Sequence, residues 1–417
     1  MPPTIHALYN ALKSKISGME KDYLIFLLAG VFLGFGQSVD GATLTNYLKE
    51  NLHLVITERT ALEVPRELPG LLVVMLIGAL HFLGDVRIAV AANVFAALGM
   101  LALGIIPADY TLVIMSILLY STGQHMYMPL ANTIGMSFAG HGDIGKKLGL
   151  MNGTNTAALV VSSALLWALF RFAHISYTVS FTIGAGSFLI AAALLARIKP
   201  GQTVQSKNRF VFKKEYRLYY WLCILFGARK QIFITFGPWV LVDVFKQPVT
   251  TMTILFFIVS VAGIFVKPAI GHLIDTAGEK FVLGGEAVLF FFVCLGYAFA
   301  DNIFAGQAAI LLICACYVVD QVLSSVSMAR ATYMKKIALN QEDVSPSLSL
   351  GTSIDHLVTM FLPFFGGLVW YRGGPHGYKY VFLAGAVIAV INYFSTRLIT
   401  LRQKPPALRK PLRGFRE

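Results

Sequence analysis

The chain has 417 residues, of which 56% are hydrophobic and only 13% are charged. That leaves too little polar material to wrap a soluble core of this size, and it marks a multi-pass membrane protein. A formal net charge of +13 could suit a nucleic-acid partner, but the cations fall where membrane topology puts them, which excludes that reading.

Residues 1–21 are polar and helix-like. The first apolar run is longer than a signal-peptide core and has no small-residue cleavage site, so it reads as an uncleaved span. Twelve segments of spanning length follow, at 22–48, 67–84, 88–106, 111–138, 149–171, 176–196, 218–244, 251–270, 281–300, 303–329, 348–371 and 378–398. The basic stretch "RIKPGQTVQSKNRFVFKKEYR" divides them six and six. The expected organisation is an N-terminal six-helix bundle (1–196), a cytoplasmic basic linker (197–217), a C-terminal six-helix bundle (218–398) and a basic cytoplasmic tail (399–417). With the N-terminus inside, 23 Lys and Arg lie on the inner side and 7 on the outer side. This bias places both termini in the cytoplasm. The cysteines Cys223, Cys294, Cys314 and Cys316 sit in apolar segments, without disulfide or metal-binding spacing. No phosphate-binding G-x-x-x-x-G-K-[ST] loop and no catalytic constellation is evident, so neither an enzyme, a cofactor nor a metal is expected.

A charge in mid-span costs on the order of 3 kcal/mol on insertion scales, so each one needs a partner or a wet cavity. Asp40 lies in the outer half of span 1, and Gln37 lies one turn before it. Gln124 and His125 lie mid-way along span 4. Arg229 and Lys230 are adjacent near the middle of span 7, in "FGARKQIFITFGPW". Glu286 lies one turn into span 9, Asp320 in the inner half of span 10, and Asp355 with His356 two turns into span 11. Consecutive helical residues point about 100° apart, so Arg229 and Lys230 cannot both face one cavity. One faces a solute while the other pairs with a neighbour. Arg229–Asp355 and Lys230–Asp320 are the ion pairs that a purely structural reading expects. That reading also pairs Glu286 with Lys267 or Arg330. Asp320, Ser324 and Ser327 form a polar stripe at helical spacing. Tyr127, Phe233 and Phe236 offer apolar walls.

The halves repeat. Gly153-Thr154-Asn155 matches Gly351-Thr352-Ser353, each near the start of a fifth span. The loop after the second span also recurs, as "GALHFLGDVRI" and "GHLIDTAGEK". Parallel repeats imply a pseudo-twofold axis along the membrane normal. The second loop resembles the major facilitator superfamily signature G-x-L-x-D-R-x-G-R-R. Gly271, Leu273, Asp275, Gly278 and Lys280 fall on its positions, while Thr276 and Glu279 depart from it. Gly78, Leu80, Asp85 and Arg87 form a degraded first copy. "LEVPRELPG" resembles bacterial members of that family.

The resemblance implies an all-α membrane protein with twelve transmembrane helices in two pseudo-symmetric six-helix bundles. It also implies a cytoplasmic gate at the signature loops and a cavity lined by spans 1, 4, 7 and 10. The expected function is a secondary active transporter in the bacterial inner membrane, working by alternating access. It would act as a monomer, without nucleic acid, in contact with the lipid bilayer. Its solute would be small, polar and anionic, held by Arg229 or Lys230. Protons would be the coupling ion, with Asp40, Asp320 or Asp355 as carrier, since burial raises a carboxyl pKa toward neutrality. Two alternatives stand beside this. One is efflux of amphipathic or cationic compounds, with Asp40 and Asp320 recognising them between aromatic walls. The other is a lipid-handling or receptor-like role.

Overall fold

A computed structural model of the protein describes residues 20–107, 109–139, 144–199 and 212–400. The basic tail, the N-terminal segment and most of the central basic linker lie outside the described residues. Among the described residues there are twelve long helices, with shorter turns between them. The first half has α1 (Lys21–Glu50), α2 (Glu63–Ala79), α3 (Asp85–Ile105), α4 (Tyr110–Ser137), α5 (Ile144–Phe172) and α6 (Tyr177–Leu195). The second half has α7 (residues 217–244), α8 (Val249–Ala277), α9 (Glu279–Ile303), α10 (Gln307–Ile337), α11 (Val344–Arg372) and α12 (Gly377–Arg397). Nine of the twelve are long and apolar enough to cross a membrane on length and composition alone. The other three are α2, α4 and α7.

Two of these depart from the expected boundaries for physical reasons. The second span was expected at 67–84, but α2 runs from Glu63 to Ala79. Arg59, Glu63 and Arg66 stand four and three residues apart, so their charges can pair along one side and the helix can start ahead of the apolar run. In α7 the helix is regular from Arg217 to Gln231, then widens into π-turns at Ile232–Phe236 and Val240–Val244 around Gly237–Trp239. Pro238 explains the widening. It has no N–H to give and its ring crowds the preceding turn, which an extra residue per turn relieves.

The helix neighbours repeat with a shift of six. In the first half α3 packs on α4 and α6, α1 on α5 and α6, and α2 on α4. In the second half α9 packs on α10 and α12, α7 on α11 and α12, and α8 on α10. The two halves meet along α5 with α8 and α2 with α11, a pair of contacts related by the same shift. This is the pseudo-twofold arrangement that the sequence repeat implies.

Polar contacts join the two halves at one end. At the far end, where α1 finishes, Asn46 donates to the Gln247 carbonyl at 3.1 Å and Lys49 pairs with Asp243 at 2.7 Å. At the near end, where α1 begins, Gly149 and Gly153 on α5 and Gly271 on α8 have open space where a side chain would be. Gly78 at the end of α2 is equally open. There Lys213 and Tyr216, before α7, both bind the carboxylate of Asp343 before α11, at 2.7 and 2.6 Å. These two donors hold the Asp343 carboxyl below its ordinary range.

The signature loops are also corrected in register. Gly84 and Gly278 both adopt left-handed φ, +77° and +85°, and each immediately precedes the next helix. The backbone therefore equates Asp85 with Glu279 and not with Asp275. Asp275 and Arg87 are exposed. Glu279, fully buried, pairs with Lys336 of α10 at 2.6 Å, and Lys280 donates to the Arg397 carbonyl of α12 at 2.8 Å.

Candidate functional site

The two adjacent cations of α7 take different partners, and the pairings are crossed relative to expectation. Arg229 turns into the second half. Its Nη2 donates to Asp320 of α10 at 2.8 Å, and its Nε lies 3.0 Å from Glu286 of α9, close but not aligned for a hydrogen bond. The guanidinium also lies over the Phe290 ring, 5.2 Å from its centre. All three charged side chains are at most 6% exposed. A planar fork can address two carboxylates on two helices at once, which an ammonium does less well. Glu286 is thus partnered by Arg229, and not by the expected Lys267 or Arg330.

Lys230, one residue on, points between α7 and α11. Its Nζ lies 3.0 Å from Asp355, with 21% and 14% of the two side chains exposed. Asp355 keeps its Oδ1 buried without a hydrogen-bond partner. The expected pairs Arg229–Asp355 and Lys230–Asp320 are therefore replaced by Arg229–Asp320 and Lys230–Asp355. The helical offset between neighbours is right; the direction of the rotation is that of a helix packed on α11 and α12.

His356 follows Asp355 and points the other way, across the boundary between the halves. Its Nδ1 lies 2.8 Å from Glu67 of α2, which also accepts from Thr359 at 2.9 Å. His125 of α4 stands beside it, the rings edge to face at 5.0 Å. Its Nδ1 is bound to the Ser121 hydroxyl at 2.9 Å and carbonyl at 3.0 Å. The two neighbours Asp355 and His356 thus tie α11 inward to α7 and outward to α2.

The first half carries a second network. Asp40 of α1 lies 3.9 Å from Arg66, which also contacts Glu63 at 3.5 Å, and Glu63 is bound by Arg59 as well. Gln37 donates to Gln124 at 3.1 Å, joining α1 to α4.

Other expected residues lie elsewhere. Phe233 is fully buried among Phe290, Tyr297 and Phe382, and Phe236 is fully buried and stacks with Trp370. Tyr127 is buried in the first half. Ser324 is exposed and donates to its own helix at Gln321, in a tight turn that breaks α10. The sequence reading missed Glu67, Thr359, Arg66 and Glu63. The signal was present: Glu63 and Glu67 stand one turn apart with Arg66 between them, ahead of an apolar run.

The family model of the Major Facilitator Superfamily matches residues 26–340, most of the chain. The chain belongs to the major facilitator superfamily. It is thus a multi-pass membrane protein of a transporter family, and not an enzyme. No curated protein matches it in sequence. Among solved structures of the superfamily fold, it is similar to a mutant form of the nucleoside transporter NupG, with 15% identity over 90% of this chain and 99% of the other, and a TM-score of 0.75. A bacterial homologue of the iron transporter ferroportin, in an inward-facing state, is 16% identical over 90% and 98%, with a TM-score of 0.69. A D-xylose-proton symporter is 13% identical over 89% and 96%, with a TM-score of 0.63. These likenesses establish the superfamily fold.

Proposed function

We propose that this protein is a proton-coupled secondary transporter that moves a small, polar, anionic organic solute by alternating access. The observation that carries the reading is the Lys230–Asp355 pair, mid-span and mostly buried, beside the Glu67–His356 contact between the halves. Arg229 is committed to two buried carboxylates, which leaves Lys230 as the solute anchor. Without solute, Asp355 holds the ammonium in place. An incoming carboxylate or phosphate competes with Asp355 for Lys230. Because Asp355 and His356 are consecutive on α11, a change in the first alters the contact that the second makes with the other half.

Charge bias puts the near end in the cytoplasm and the far end, with its Lys49–Asp243 pair, outside. Asp40 is the proposed proton carrier. Its 3.9 Å contact with Arg66 is longer than that of Asp320 with Arg229 or Asp355 with Lys230. A carboxylate held this loosely in a low-dielectric setting can lose its counter-charge when the halves move, and then takes up a proton. The D-xylose-proton symporter and NupG support a polar solute as cargo for this fold. Efflux of amphipathic compounds is less well supported, because Phe233 and Phe236 are buried within the second half and offer no wall to a cavity.

The test is transport in reconstituted vesicles, after a thermal-shift screen against metabolites has given a solute. Lys230→Gln is expected to raise the KM for that solute at least about tenfold, a loss of about 1.4 kcal/mol of binding. Normal affinity in this variant would remove the anchor. Asp40→Asn is expected to retain solute exchange at equal concentrations and to lose uphill accumulation driven by a pH gradient. Accumulation at the wild-type level would remove Asp40 as carrier.

A further inference from the structure

Glu67, His125 and His356 bring one ligand atom each to within 4.8 Å of one another. They come from α2, α4 and α11, so the cluster draws on both halves. Two imidazoles and one carboxylate with an open fourth position is a donor set suited to a zinc-class cation. Bonds of about 2.0–2.2 Å to such an ion put tetrahedral ligand atoms roughly 3.4 Å apart. The cluster therefore closes on an ion by side-chain rotation of about 1 Å per ligand.

The surroundings are those of a built site. A metal-binding imidazole presents one nitrogen to the ion and gives the N–H of the other to a carbonyl or carboxylate. His125 has this arrangement: Nδ1 faces the Ser121 carbonyl at 3.0 Å, which leaves Nε2 as the lone-pair donor. Thr359 orients the carboxylate of Glu67 in the same way, at 2.9 Å. Gly70 makes the room. A Cβ there would fall 2.5 Å from His356 Cε1 and 2.6 Å from His125 Cδ2. The Glu67 and His356 side chains are only 9% and 13% exposed. His356 Nδ1 and Thr359 both meet the Oε2 of Glu67, so an ion would enter by taking the place of the His356 contact or by using the other oxygen.

We propose that Glu67, His125 and His356 form a bridging site for a divalent transition-metal ion of the zinc class, and that the bound ion locks the two halves in the arrangement in which these residues meet. An ion with ligands on both halves favours the arrangement in which they meet, by as much as its affinity differs between the two states. The inference is independent of which solute is carried.

The experiment uses the full chain, stripped with chelator in detergent. Zn²⁺ is titrated by calorimetry and Co²⁺ by visible absorption. One Zn²⁺ per chain and the intense bands of four-coordinate Co²⁺ are expected, with Mg²⁺ failing to compete. His125→Gln and His356→Gln, one in each half, should each weaken Zn²⁺ by at least about tenfold. His272→Gln, on an exposed residue of α8, should bind as wild type does. Zn²⁺ affinity unchanged in both ligand variants would overturn the site, and having two variants keeps the test valid if one misfolds. Spin labels at Phe82 and Leu273, on the near ends of the two halves, read the lock. Zn²⁺ should narrow their distance distribution to a single value in wild type and not in His125→Gln. Binding without narrowing, or Zn²⁺ exchange across vesicles, would overturn the locking role. Loss of solute transport in Lys230→Gln with Zn²⁺ binding intact would separate this site from the solute anchor.

Discussion

Arg229 holds two carboxylates from two other helices, in a setting almost without water. Removing one partner of a buried charge network leaves the rest uncompensated, at a cost of about 3–5 kcal/mol. Arg229→Gln is therefore expected to lower the thermal midpoint of the purified protein sharply. Adding Glu286→Gln and Asp320→Asn should recover part of the loss, because the stranded charges are then gone. A single variant as stable as wild type would show that the triad carries no structural weight. Two cations in a greasy segment stood out from sequence alone, and so did the rule that they diverge. Their partners were not. Arg229 and Lys230 each had an Asp within reach on paper, and only the rotation of α7 against its neighbours decides between Asp320 and Asp355. Glu67 was hidden for a different reason: it stood at the assumed edge of a span, where a charge looks like part of a loop.

At the scale of helices, close crossings depend on missing side chains. Gly99 of α3 abuts the backbone of Ser116 and Tyr120, and Gly123 of α4 abuts the backbone of Ala92 and Ala96. The two helices thus meet through a glycine on each, as small-residue packing in membranes favours. Gly123→Ala would place a Cβ 2.5 Å from the Ala96 nitrogen, and backbone cannot give way as a side-chain tip can. A loss of about 1–3 kcal/mol is expected from such overpacking. Gly186→Ala, on α6 with open space at that position, should be neutral or slightly stabilising. Thermal unfolding of the pair checks this, and equal midpoints would refute the crossing argument. Span number, order and approximate length could be read from apolar runs. The helix ends could not, because α2 is extended by charge pairing and α7 is reshaped by one proline, effects that hydropathy does not register.

For the whole molecule, the far end is held by few polar contacts. Lys49 and Asp243 pair at 2.7 Å with 25% and 23% of their side chains exposed, and such a pair is worth up to about 1 kcal/mol. That is enough to shift a two-state balance about fivefold. Asp243→Asn is expected to raise the reactivity of a cysteine placed at Asn46 toward a membrane-impermeant thiol reagent by up to that factor. Unchanged reactivity would mean that the pair has no part in closing this end.

The two left-handed glycines, Gly84 and Gly278, carry one more consequence. The residues around them differ so much that Asp85 matches Asp275 by letter alone, yet the chain turns in the same way in both halves. The repeat is kept here as a torsion angle and not as a motif. Nearly every side chain at such a corner can differ, but a Cβ on the glycine opposes the turn itself. These glycines are thus the natural seams for building chimeras between the halves, where a join would respect the path of both parents.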